Sequence, residues 1–211
     1  MLAPVRRTLL RDAAYEAIRD AIISGAIKPG ATISNAALAD RLGLSRAPVR
    51  DALARLADEG LIETKPQSYT RVTEVDPRDV RDAAVVVRAM HELATRAAVP
   101  LLTTDDVDTM RAANRRFDAA TRDRDISAAM TADDDLHDVL VRRCGNKAVA
   151  ATIERYTPLI RRLEWQRFSQ ETARRSVAPH DALIAACATG DTVRATDVTR
   201  EIWQSLAEET T

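Results

Sequence analysis

The stretch NAALADRLGLSRAPVRDALARLADEGLI, residues 35–62, decides the fold. Two short amphipathic patterns flank one glycine. In the first, Leu38, Ala39 and Leu42 share a face, with Asn35 placed to cap the helix and Gly43 to stop it. In the second, Ser45 is a good N-cap and Pro48 fits a first turn, where N–H groups lack helical partners; Val49, Leu53 and Leu56 form the buried stripe before Gly60 closes it. Upstream, Leu10, Ala14, Ile18 and Ile22 recur every fourth residue and predict a first helix that ends near Gly25, ahead of an IKPG turn. Downstream, in LIETKPQSYTRVTEV, β-prone residues surround a Pro-Gln-Ser turn, which predicts a two-stranded hairpin from Ile62 to Val72. Three helices and a hairpin make a winged helix-turn-helix over residues 1–75. The VDP at 75–77 reads as the junction, because Asp76 is suited to cap, and Pro77 to open, a new helix.

Residues 76–211 keep the helical period throughout. The inward stripes are Val80, Ala84, Val87 and His91; Val107, Met110 and Phe117; Ile126, Met130, Asp133, His137, Leu140 and Cys144; Val149, Ile153, Tyr156, Ile160 and Leu163; His180, Ile184 and Cys187; and Val198, Ile202 and Leu206. They predict an antiparallel bundle of about six helices, so the whole protein is expected to be mainly α.

Composition narrows the function classes. The apolar set is 45% and charged residues 30%, enough material for a core in a chain of 211 residues. The net charge of -1 advertises no global attraction to nucleic acid. Residues 1–75 hold 11 basic and 9 acidic groups against 20 and 23 in the rest, so the N-terminal part is the better candidate to face an anionic partner. Cys144 and Cys187 both fall inside apolar helical patterns, which points to core thiols in a reducing compartment. No segment has the length and apolarity of a signal or membrane span, so the expectation is a cytoplasmic protein with no membrane partner.

The second helix of the opening stretch carries Ser45, Arg46, Ala47 and Arg50 at its start. A recognition helix enters the major groove by its N-terminal end, where free N–H groups and the positive end of the dipole favour phosphate. Arg46 can address a guanine edge with two donors, Ser45 can hold phosphate, and Arg50 projects one turn further along the same side. Lys65 and Arg71 on the hairpin can add backbone contacts. The competing reading is a set of solvated surface charges. The segments IISGAIKPGATI, LADRLGLSRAPVRDALARLADEGLI and KPQSYTRV resemble the DNA-binding domain of the GntR family of bacterial transcription factors over residues 8–75. The resemblance implies operator contacts from Ser45, Arg46, Ala47 and Arg50, with the wing residues Lys65, Gln67 and Arg71. Two positions depart from the pattern: Ala36 stands where some members place an arginine, and Gln67 to Tyr69 replace a glycine-containing wing tip.

A second constellation lies in the bundle. Asp133 and His137 are four apart on an otherwise apolar stripe, and His180 opens another helix in phase with Ile184. A carboxylate and imidazoles placed inward suit either a divalent metal or a hydrogen-bonded pair. ADDDLHDVLVRRCGN and PHDALIAACATGD resemble the FCD effector domain of the FadR branch of the same family, over residues 78–209. Many members bind zinc, nickel or another divalent ion through an Asp, a His four residues later, a His opening the penultimate helix and a His in the last helix. The first three map onto Asp133, His137 and His180; the fourth place holds Ile202. A three-ligand site completed by water or an effector carboxylate, and a metal-free pocket lined by His137 and His180, are both open. Arg88 is in phase with Ala84 and His91 and can pair an anionic effector, or form a surface pair with Glu92. Of Arg161 and Arg162, at most one is expected to face inward.

The expected function is a ligand-responsive DNA-binding transcriptional regulator, a repressor, acting as a homodimer on a palindromic double-stranded operator. Its effector is a small organic acid bound through Arg88, His137 and His180. A metal-dependent hydrolase is the rival from another class, but no general base, oxyanion device or nucleophile accompanies the three ligands, so no enzyme is expected.

Overall fold

A computed structural model describes residues 7–65, 68–168 and 175–208. The chain divides into two compact units, Met1–Asp76 and Pro77–Thr211.

The first unit holds α1 (Arg7–Ile23), α2 (Asn35–Leu42), α3 (Arg46–Asp58) and the antiparallel strands β1 (Ile62–Lys65) and β2 (Tyr69–Val72). The buried stripe of α1 starts at Ala14 and continues through Tyr15, Ile18 and Ile22. Leu10, expected on that stripe, is 40% exposed. Tyr15 takes its place by reaching α3: its hydroxyl donates to Glu59 at 2.8 Å, and the Arg55 guanidinium lies 3.7 Å above its ring. Burial and the Glu59 carboxylate push the Tyr15 phenol up to about 12.

The cap of α2 is Ser34 and not Asn35; the Ser34 side chain accepts from the Ala37 N–H, and Asn35 is the first helical residue. Gly43 ends α2 at φ +64°, and a Cβ there would meet open space, so the left-handed backbone alone calls for glycine. Strand register pairs Ile62 with Val72 and Lys65 with Tyr69, as the hairpin reading requires. The segment before α2 lies along β2: Ile33 N–H donates to Thr70 O at 2.7 Å and Val72 N–H to Ala31 O at 3.0 Å.

The second unit holds α4 (Pro77–Ala98), a 3-10 turn (Val99–Leu101), α5 (Thr104–Asp123), α6 (Ile126–Cys144), α7 (Lys147–Phe168), α8 (Val177–Ala188) and α9 (Thr192–Glu208). Among the described residues the bundle has six long helices, where periodicity predicts about six. Helix α4 packs on α6, α7 and α9, while α5 packs on α6 and α8. Met110, Leu136, Leu140, Leu183 and Val198 fill the main core. Thr103 and Asp106 form a reciprocal capping box on α5, and Asp125 caps α6. Among the described residues, no helix is long and apolar enough to cross a membrane.

Candidate nucleic-acid interface and candidate metal centre

In the first unit, Ser45 occupies the N-cap position of α3 with extended backbone, but its hydroxyl makes no capping bond to its own helix. The first-turn N–H groups of α3 therefore have no side-chain cap from Ser45. Ser45, Arg46, Ala47 and Arg50 are all exposed. Among the described residues, Arg50 makes a 3.6 Å pair with Asp51, with 72% of its side chain in solvent, a contact too weak to hold it. Arg46 and Arg50 are one turn apart and so lie along one edge of α3. Lys65 is exposed at the end of β1; Arg71 pairs with Glu63 across the ribbon and stacks on Tyr69 at 4.5 Å. Gln67 lies outside the described residues.

In the second unit, α6 and α8 bring three polar side chains into the core. Asp133 and His137 lie one turn apart on α6, and His180 is on the first turn of α8. All three are buried, and their ligating atoms lie within 4.8 Å of one another. Asp133 Oδ1 stands 3.3 Å from His180 Nε2 and 3.8 Å from His137 Nε2. Its other oxygen meets both terminal nitrogens of Arg161, each at 3.2 Å. Arg161 also donates to Glu164 at 2.5 Å and pairs with Asp134.

These contacts set the charges. Burial opposes the Asp133 carboxylate, yet His180, His137 and Arg161 hold it well below the usual carboxylate range. Burial, helped by His180 and Arg161 against Asp133, pushes His137 down to about 4, so it is neutral and able to ligate near pH 7. Burial likewise depresses His91. Glu164 is pushed up to about 7 by burial, with Asp133 and Asp134 adding to it against Arg161.

Asn114 on α5 decides the state of His180. Its amide nitrogen donates to Asp181 Oδ1 at 2.7 Å, which turns its carbonyl oxygen toward His180 Nδ1 at 3.2 Å. Nδ1 then carries a proton, and in the neutral ring Nε2 keeps its lone pair. Among the described residues that nitrogen is buried without a hydrogen-bond partner, and it faces a carboxylate oxygen. Two acceptors in this position repel unless a proton or a metal cation lies between them. Two imidazoles and a carboxylate form a donor set suited to zinc or nickel, so the residues fit a divalent ion. Ile202 at the remaining place packs against the apolar cluster that includes Val87, Ile160 and Trp203 and supplies no ligand.

Comparison with known proteins agrees with both halves. The gntR family of bacterial regulatory proteins matches residues 10–72, and the FCD domain matches residues 82–205. The chain belongs to the GntR family and carries an FCD domain. It is similar to an HTH-type transcriptional regulator of Agrobacterium vitis, 30% identical over 61% of this chain and 77% of that protein. It is also similar to the HTH-type transcriptional repressor RspR of Escherichia coli K12, 25% identical over 73% and 68%. The solved E. coli McbR/YncC structure shares the fold, with a TM-score of 0.84 at 21% identity over the whole of both chains. This GntR-family chain is thus a ligand-responsive DNA-binding regulator and not an enzyme.

One reading of the FCD sequence needs correction. Arg161 and Arg162 are both buried, at 4% and 6% exposure, where at most one was expected to turn inward. Neighbouring long side chains on a helix can both be covered when helices flank it on two sides, and α7 packs on α4 and α6. Arg88, half-buried, pairs with Glu92 at 3.7 Å, and the buried Arg161 touches the centre. Asn114, Glu164 and Trp203 went unread in the sequence. Only the polar Asn114 within the Met110 to Phe117 stripe offered a signal, being in phase with buried positions.

Proposed function

We propose that this protein is a FadR-branch repressor, cytoplasmic, in which residues 1–75 read DNA and residues 76–211 bind effector and dimerise. The observation that carries the proposal is the buried Asp133, His137 and His180 group, a polar centre that packing alone does not require. A zinc or nickel ion held there supplies a positive point to which the carboxylate of a small organic acid can bind, with His137 and His180 beside it and Arg88 toward the surface. Ser45, Arg46, Ala47 and Arg50 contact operator DNA, with Lys65, Gln67 and Arg71 of the wing on the backbone. Two copies pair through the outer face of α4, where Val85, Val86 and Leu93 are exposed with Ala89 between them at helical spacing. A two-fold dimer then matches a palindromic operator. Effector acts by favouring one arrangement of the two heads over the other.

Mobility-shift titration on genomic fragments selected by the protein tests this. Arg46→Ala is expected to weaken operator binding by about 10–100-fold and to relax base preference at one position per half-site. Equal affinity for wild type and variant would remove Arg46 from the interface. If zinc alone shifts operator affinity and no organic acid adds to it, the ion itself is the signal.

A further inference from the structure

Every histidine of the chain lies in one place. There are three in 211 residues, on α4, α6 and α8, and their exposures are 4%, 4% and 0%. The His137 and His180 rings meet edge-on at 5.3 Å, and His91 and His137 meet in the same manner at 5.6 Å. Two imidazoles on one tetrahedral ion, with metal–nitrogen bonds of about 2 Å, have their centroids roughly 5 Å apart. His91 therefore already stands at ligand spacing from His137. Its ring also stacks at 4.3 Å and 15° on Trp203 of α9, the helix that carries Ile202. An apolar side chain would fill this contact between α4 and α9 without burying ring nitrogens. Its nitrogens lie outside the group of three whose ligating atoms are within 4.8 Å, so joining them requires the ring to turn off the indole.

We propose that His91 is the fourth ligand of the Asp133, His137 and His180 centre, supplied from the first bundle helix in place of the last-helix ligand that Ile202 removes. The inference rests on the reading that the centre takes a divalent ion. The stack on Trp203 is the resting position, and the ion draws the imidazole away from it. The result is a closed set of three nitrogens and one oxygen, in which any effector carboxylate must enter as a fifth ligand or displace one of the four.

X-ray absorption at the zinc edge, on the full chain loaded with equimolar zinc, counts the imidazoles directly. Three are expected; two would overturn the assignment. Competition with a chromophoric chelator gives affinity: His91→Leu is expected to bind zinc at least about 100-fold more weakly, beyond the 10–100-fold typical of losing an outer partner. The double variant His91→Leu/Ile202→His is expected to recover most of that loss. Unchanged zinc affinity in a His91→Leu protein with native circular dichroism also overturns it. If His91→Leu does not fold, the wild-type absorption spectrum decides alone. Should the wild-type chain take no zinc, the metal reading and this assignment fall together; zinc held by two imidazoles sinks only the assignment.

Discussion

Asn114 joins Asp181, 67 residues away, to His180, 66 residues away, through the two ends of one carboxamide. Its role is to choose which imidazole nitrogen keeps a lone pair, so Asn114→Leu is expected to weaken zinc binding by about 10–100-fold while the bundle stays folded. Chelator competition alongside circular dichroism measures this; equal affinities would show that His180 needs no such partner. Glu164 gives a second prediction. Its folded-state value of about 7 lies above the unfolded 4.5, so its stabilising contribution is complete below pH 4.5 and is lost as pH rises through 7. Glu164→Gln is expected to flatten the fall in urea midpoint between pH 5 and about 7.5. A wild-type slope that survives in the variant would assign the proton elsewhere. Asp133 and His137 were legible because four-residue spacing puts them on one helical face. Arg162 and Glu164 were not, and Asn114 showed only its phase with a buried stripe, because nothing local says which neighbouring helix will cover a polar side chain.

At the scale of elements, most boundaries were written in short-range chemistry. Gly43, Gly60 and Pro77 stand where the helices of the first unit end and the second begins, and the Pro-Gln-Ser signal fell between β1 and β2. The cap of α2 slipped by one residue because Ser34 and Asn35 are both good caps, and the choice follows from where Ile33 is tied to β2. The space around Gly43 is open, so Gly43→Ala tests backbone conformation alone. It is expected to lower stability by about 1 kcal/mol through the left-handed φ, read as a shift in denaturation midpoint without loss of fold. A neutral result would mean that α2 ends equally well without that turn. Tyr15 shows the limit of stripe reading: its ring is buried one position off the fourfold series because a polar tip finds Glu59 and a cation covers its face.

For the whole molecule, the exposed Val85 and Leu93 of α4 locate the proposed dimer contact. Val85→Glu/Leu93→Glu is expected to shift the chain from dimer to monomer in sedimentation at micromolar concentration, and to weaken binding to a full palindrome far more than to a half-site. A double variant that still sediments as a dimer would place the contact on another face. The sequence by itself determined the helical periods, the hairpin, the junction at Pro77 and the presence of inward polar residues at 133, 137 and 180. Each follows from interactions among residues a few positions apart. Only tertiary structure decided that Arg161 takes one oxygen of Asp133 and the histidines face the other, that Asn114 fixes His180, and that His91 lies against His137. Those contacts join α4, α5, α6, α7 and α8 across tens of residues, and they are set by which helix faces pack together, a choice no local period contains.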